Sequence, residues 1–290
     1  MILAEHRSSE ATASPSFALA LGGGGARGLA HIHVIEALDE LGIRPRAIAG
    51  SSIGAIMGAG MAAGMRGRDI HDYARSVFNK RGEVAARMWR ARPGSIGEMV
   101  QRGLNITQFN IERILGAFLP EQIPQTFGEL SIPLKVTATD FYGHKLHVIS
   151  DGELRSALAA SAALPAAFQP VKRDGKLLID GGFYNPVPFD LVQGVADIVI
   201  AVDVVGAPEE GSKRRPTTID LLYGANQLMM QSIIANKLAQ TQPDILLRPP
   251  VSRFRVLDFL KIDSVLAETA VLKDEVKRAV DAALEERARR

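Results

Sequence analysis

Short apolar runs, most of them closed by glycine or aspartate, recur along this chain. Each is too short for a helix and continuous enough for a buried strand. Phe17 to Leu21 is the first and Ala47 to Ala49 the second. Leu134 to Thr139 predicts a third, and Lys145 to Ile149 either pairs with it as a hairpin arm or follows it. Lys176 to Ile179, Asp197 to Val202 and Asp244 to Leu247 continue the series. Helical spacing fills the intervals, over about Leu29 to Leu41, Ile53 to Ala63, Leu154 to Ala160 and Ile219 to Leu238. From Ser264 to Arg290 the recurrence of Leu266, Leu272, Val276, Val280 and Leu284 predicts one long amphipathic helix. Strands alternating with helices predict an α/β fold with a central, mostly parallel sheet flanked by helices. Residues 1–16 are expected to be a flexible N-terminal tail and 17–205 the α/β core. Residues 206–290 are expected to be a C-terminal helical part of the same domain.

The chemistry concentrates where the first two strands end. Gly50-Ser51-Ser52-Ile53-Gly54 fits G-x-S-x-G at a strand-to-helix turn. Such a turn pushes the serine Oγ out of the backbone, and Gly50 and Gly54 leave room for substrate and helix. The first strand runs into Gly22-Gly23-Gly24-Gly25-Ala26-Arg27-Gly28, of which Gly23, Gly25 and Gly28 also fit G-x-G-x-x-G. A dinucleotide site expects an acidic residue about 20 positions further on, at the end of the second strand. Here that strand ends in Gly50-Ser51-Ser52, and Asp39 and Glu40 fall too early, within the helix. Bare backbone N–H groups at a helix N-terminus also stabilise the oxyanion of a tetrahedral acyl intermediate. The two loops together predict a nucleophile elbow beside an oxyanion hole.

A nucleophilic serine needs a base. The six histidines are His6, His31, His33, His71, His144 and His147, and none follows residue 147. An order of serine, acid, then histidine would need an acid between Ser52 and one of the last three. His31 and His33 sit two positions apart, on different faces of one helix. Ordinary structural histidines are the expectation for all six. Asp180 is the replacement candidate, because it ends the Lys176 to Ile179 strand in an Asp180-Gly181-Gly182 turn. Asp-Gly is also a common plain turn signal. An unperturbed Asp, with a pKa of about 3.9, is a weak base. Partial desolvation and a direct hydrogen bond to Ser52 would be needed.

These residues together resemble the patatin-like phospholipase family. Its marks occur in order: the Gly23 to Gly28 loop with Arg27; Gly50 to Gly54; Ala160-Ser161-Ala162-Ala163-Leu164-Pro165; and Asp180-Gly181-Gly182. The resemblance spans roughly residues 17 to 205, and its form is closest to small bacterial members related to neuropathy target esterase. It implies a three-layer patatin-like fold and a Ser-Asp dyad without histidine, with Ser52 as nucleophile and Asp180 as proton acceptor. It also implies an oxyanion hole at Gly23, Gly24 and Gly25 within the loop Ala26, Arg27 and Gly28 complete, and a phospholipid or lysophospholipid substrate. One departure is Gly22, where plant patatins carry Asp; no catalytic consequence is expected.

Composition limits the alternatives. A net charge of +2 argues against general nucleic-acid binding. The absence of cysteine removes disulfides and thiolate metal sites. No H-x-x-x-H spacing occurs, so no structural metal is expected, and ester hydrolysis through an acyl-serine needs no cofactor. The first residues lack the apolar core of a signal peptide. The uncharged stretch Ala47 to Met65 holds several glycines and suits a buried strand-turn-helix better than a membrane span. The expected location is therefore cytoplasmic, with peripheral membrane contact an option. Two segments are candidates for lipid: the basic stretch Phe78 to Arg102 around Trp89, and Leu221 to Ile234 with Leu228, Met229 and Met230. Ordinary packing accounts for either as well. A lipid-binding regulatory protein with little or no turnover remains the alternative function, followed by a dinucleotide-dependent enzyme. The oligomeric state is left open.

Overall fold

A computed structural model describes residues 14–80, 82, 84, 86, 109–209 and 217–289. Most of the basic Phe78 to Arg102 stretch, and all but the last three residues of the expected N-terminal tail, lie outside the described residues.

The apolar runs form one eight-stranded sheet. Its strands are β1 (Phe17–Leu21), β2 (Ile48–Ser51), β3 (Leu134–Asp140), β4 (Lys145–Ile149), β5 (Val171–Arg173), β6 (Lys176–Asp180), β7 (Ile198–Val202) and β8 (Ile245–Leu247). The parallel part runs β3-β2-β1-β7-β8. The antiparallel hairpin β5-β6 joins at β3, and β4 pairs antiparallel with β3 as the hairpin arm. The described helices are α1 (His31–Glu40), α2 (Ile53–Ala62), α3 (Gly67–Phe78), α4 (Ile111–Phe118), α5 (Leu154–Ser161), α6 (Thr218–Gln240), α7 (Ile262–Thr269) and α8 (Leu272–Ala288).

Alternation along β1 explains the layers. Its large residues Phe17, Leu19 and Leu21 join a core with Ile32, Ile35, Leu38, Leu158 and Val276, from α1, α5 and α8. Its small residues Ala18 and Ala20 face the other way, with Ala49 and Ala201, against Val187, Phe189, Met230 and Ile234. Successive strand residues point to opposite faces, so one strand serves both cores. The small-residue face lets α6 and the 181–192 segment lie close to the sheet. Lys237 pins α6 there, its Nζ donating to Val187 O at 2.9 Å and pairing with Asp190 and Asn185. The α6 N-terminus is closed by a capping box, in which Asp220 N donates to Thr217 Oγ1 at 3.2 Å and Asp220 Oδ2 accepts from Thr217 N at 3.0 Å.

Two helix expectations are corrected. The segment after the glycine loop opens as a 3-10 turn over Gly25–Ala30 before α1 begins at His31. The helix expected over Ser264 to Arg290 is broken into α7 and α8. Thr269 sits buried at the break with its Oγ1 donating to Val265 O at 2.8 Å, a back-bond that weakens the helical ladder and bends it.

Gly54, in the first turn of α2, meets β1 backbone to backbone. A Cβ there would lie 2.1 Å from Leu21 O and 2.6 Å from Gly22 O. Gly54→Ala is therefore expected to destabilise the fold by about 1–3 kcal/mol, as overpacking against rigid backbone does. Urea denaturation checks this, and a loss under about 0.5 kcal/mol would mean that α2 and β1 are not in such close contact.

Candidate active site

The registers on β3 decide where the candidate residues meet. Val136 and Thr137 pair with both β2 and β4, so those two strands occupy opposite edges of β3. Ala138 to Asp140 pair with both β4 and β6, so β6 shares the β2 edge. β2 runs parallel to β3 and ends with Ser51 opposite Thr137. β6 runs antiparallel and ends with Asp180 opposite Ala138. The two strands thus run toward each other and stop at neighbouring positions. Ser52 and Asp180, distant in sequence, are brought together by this abutment.

Ser52 adopts φ 53° and ψ −123°, outside the regions a side chain prefers. Such a backbone costs about 1–3 kcal/mol and persists only when its surroundings over-determine it. Gly50 permits the turn because a Cβ there would lie 2.4 Å from Ala55 Cα. The Ser52 N–H donates to Ser161 Oγ at 2.8 Å, and its Oγ donates to Asp180 Oδ2 at 2.6 Å. Ser52 retains 9% of its surface.

Asp180 is gripped on every side. Its Oδ1 accepts from Gly182 N at 2.7 Å, its N donates to Ala163 O at 3.1 Å, and its O accepts from Thr139 Oγ1 at 2.8 Å. Gly181 lies over β3, where a Cβ would sit 2.3 Å from Thr137 O. At Gly182 a Cβ would lie 2.7 Å from Met230 Cε, so α6 closes the turn with a thioether. Burial raises the Asp180 carboxyl to about 6, against the opposing pull of the hydrogen bonds from Ser52 and Gly182. A carboxylate of that basicity, bonded to a serine hydroxyl, suits general-base chemistry near neutral pH.

The glycine loop passes over the elbow, with a Cβ on Gly23 falling 3.3 Å from Ser52 Cβ. Its donors are not all available, which narrows the expected oxyanion set. Gly23 N–H is bonded to Pro186 O at 2.9 Å and Ala26 N–H to Val256 O at 2.8 Å. Among the described residues, the N–H groups of Gly24 and Gly25 meet no acceptor. Gly25 has φ 58°, a conformation that favours glycine, and Gly28 lets α2 approach, since a Cβ there would lie 2.2 Å from Ile53 Cγ2. Arg27 does not point to the elbow. It is buried, with Nε donating to Gly24 O at 3.1 Å and Nη1 bonded to Val205 O. Burial pulls its guanidinium down to about 10 while the charge of Asp203 holds it up. Arg27 thus braces the loop from behind.

Three histidines have structural partners, as expected, His71 through Nδ1 and Glu36 Oε1 at 2.9 Å. His31 is fully buried, and burial lowers it to about 4 against the hydrogen bond to Gly22 O, so it is neutral at pH 7. Its Nε2–H donates to Gly22 O at 2.8 Å. His33 Nε2 contacts Leu266 O at 2.9 Å. Among the described residues no histidine bonds to Ser52 or Asp180, and no group of three or more His, Asp or Glu could hold a metal ion. Ser161 and Ala163 stand in the sequence only as parts of the Ala160 to Pro165 motif, and Thr139 only as the end of a predicted strand. The motif was the one signal that pointed at the first two, and nothing in the sequence pointed at Thr139.

The family model for patatin-like phospholipases matches residues 19–192. An uncharacterized NTE family protein of Mycobacterium tuberculosis is 38% identical over 204 residues, covering 70% of this chain and 52% of its own. The human patatin-like phospholipase domain-containing protein 6 is 30% identical over 283 residues, covering 86% of this chain and 19% of its own. The chain therefore spans about half the length of the mycobacterial relative and a fifth of the human one. The crystal structure of VipD from Legionella pneumophila aligns over 90% of this chain and 67% of its own, at 15% identity and a TM-score of 0.47.

A carboxyl raised by burial opposes folding when it ionises. The folded protein holds the Asp180 proton up to about pH 6, while the unfolded chain releases it near 3.8. This stability is intact below about pH 4, is lost as pH rises toward 6, and stays lost above. The shift corresponds to about 3 kcal/mol at most. Asp180→Asn is expected to be more stable than the parent at pH 8, with the gain vanishing below about pH 4. Denaturant titrations at both pH values test this; a gain of equal size at each would rule out ionisation as its cause.

Proposed function

The chain belongs to the patatin-like phospholipase family, and from that premise we propose that it is a serine acyl hydrolase cleaving carboxylic esters of phospholipids or lysophospholipids. The observation that carries this reading is the 2.6 Å hydrogen bond from Ser52 Oγ to Asp180 Oδ2 at a left-handed strand-to-helix turn. In the proposed reaction the Asp180 carboxylate takes the hydroxyl proton as Ser52 Oγ attacks the ester carbonyl carbon. The tetrahedral oxyanion collapses, the ester C–O bond breaks, and the departing alkoxide recovers the proton from Asp180. Water then gives a proton to Asp180 and its oxygen to the acyl carbon. The acyl–Ser52 bond breaks, fatty acid leaves, and Ser52 is reprotonated. In both tetrahedral states Gly24 and Gly25, whose N–H groups are unspent, are the proposed oxyanion donors. A buried carboxylate near pKa 6 supports the use of an aspartate where histidine is more common.

The proposal extends to peripheral contact with lipid from the aqueous side, through α6. No helix among the described residues is long and apolar enough to cross a membrane. α6 nevertheless exposes Leu221, Leu222, Leu228 and Met229, each more than half accessible, while Met230 and Ile234 are buried against the sheet. The face turned away from the core is thus apolar near the Asp180 turn, as a helix lying in a bilayer interface requires.

Hydrolysis of p-nitrophenyl esters of increasing acyl length tests the chemistry. Ser52→Ala and Asp180→Asn are each expected to lower kcat by about a thousandfold or more, with folding intact. In the parent, kcat/KM is expected to fall as pH drops through about 6, where Asp180 protonates. Activity surviving Ser52→Ala would end the assignment. For the surface, flotation with phosphatidylglycerol vesicles is the check. Leu228→Glu combined with Met229→Glu is expected to weaken binding by about tenfold or more, and undiminished binding would remove α6 from the reading.

A further inference from the structure

Ser161 is the last residue of α5 and is wholly buried. Its Oγ accepts the Ser52 N–H at 2.8 Å. Two residues further on, Ala163 O accepts the Asp180 N–H at 3.1 Å. One short segment therefore receives the backbone amides of both members of the Ser52–Asp180 pair. The β3 edge fixes where the two strands end, but Ser52 lies one residue beyond β2, in a backbone conformation that it would not adopt unaided. The hydrogen bond to Ser161 is the side-chain contact that ties the Ser52 backbone down, and it comes from the same segment that ties Asp180.

We propose that Ser161 is a positioning residue for the Ser52–Asp180 pair, its hydroxyl oxygen holding the Ser52 amide while the Ala163 carbonyl, on the same segment, holds the Asp180 amide. This rests on the reading of Ser52 as nucleophile. It also gives the Ser52 N–H a fixed partner, which removes that amide from the oxyanion site and leaves the charge to the glycine loop. Without the oxygen, the elbow relaxes toward an unstrained backbone and the Oγ leaves its line to Asp180 Oδ2. Misplacement of a reacting group by about 1 Å costs on the order of a hundredfold in rate.

Three variants separate positioning from simple packing. Ser161→Ala removes the oxygen. Ser161→Cys keeps the shape with a weak acceptor, and Ser161→Thr keeps the oxygen. The readouts are the rate of fluorophosphonate labelling at Ser52, kcat and KM on p-nitrophenyl butyrate, and the unfolding midpoint, all assayed well below that midpoint. Ser161→Ala and Ser161→Cys are expected to lose about 10- to 100-fold in labelling rate and kcat with KM within about twofold, and Ser161→Thr to return within about threefold of the parent. Labelling of Ser161→Ala at the parent rate overturns the positioning role, as does equal slowness of all three variants. If Ser161→Ala does not fold, Ser161→Cys against Ser161→Thr decides by the same criterion. A parent that is not labelled at Ser52 overturns the nucleophile reading itself and the proposal with it. A labelled parent beside an equally labelled Ser161→Ala overturns the positioning alone.

Discussion

One edge of β3 carries two strands that approach from opposite ends and stop at adjacent residues, and the candidate site depends on that meeting. β2 delivers Ser51 opposite Thr137, and β6 delivers Asp180 opposite Ala138. Sheet hydrogen bonds fix such positions by register, and a slip of one residue would turn each side chain to the other face. The pair is therefore held by backbone ladders, with the side chains left to make the 2.6 Å contact. The rest of the core keeps that edge in place: α2 on one side of the sheet, and α6 with the 181–192 segment on the other.

Close backbone approach is the second requirement, and glycine meets it where no side chain could. α2 lies against β1 through Gly54, and the Asp180 turn lies on β3 through Gly181. The same proximity excludes water from Asp180 and raises its pKa. Strain at Ser52 and desolvation of Asp180 both oppose folding, and the surrounding packing offsets them. That is the expected signature of a functional site, where local rules are broken and compensated elsewhere.

Buried polar side chains hold the loop above the elbow. Arg27 is tied to the carbonyls of Gly24 and Val205, and neutral His31 to that of Gly22. Gln227 and Gln231 of α6 donate to Val205 O at 3.1 Å and Gly206 O at 3.0 Å. The segment that Arg27 grips from inside is thus also gripped by the helix whose far side is apolar and exposed. A loop fixed by so many carbonyl contacts keeps its spare N–H groups in a constant direction, which is what stabilisation of a developing oxyanion needs.

The apolar runs, the two glycine-bounded turns and the motif order were sufficient to state the strands, the α/β class, the family resemblance and the pair Ser52 and Asp180. Each of these is a local property, set by side-chain period, by turn chemistry, or by the room a glycine leaves. The break at Thr269 was not legible, because Val265, Leu266, Leu272 and Val276 keep near-helical spacing across it, while the disturbance is a single side-chain hydrogen bond. Nor were the bonds that occupy the Gly23 and Ala26 N–H groups and the Arg27 guanidinium, since their partners Pro186, Val256 and Val205 are far away in sequence. The role of Ser161 depends likewise on a partner that only folding brings near. The sequence alone therefore determined which groups are the candidates for the chemistry. Tertiary structure decided which donors remain free and how basic Asp180 is, because hydrogen-bond partners and burial are properties of residues that meet only in the folded chain.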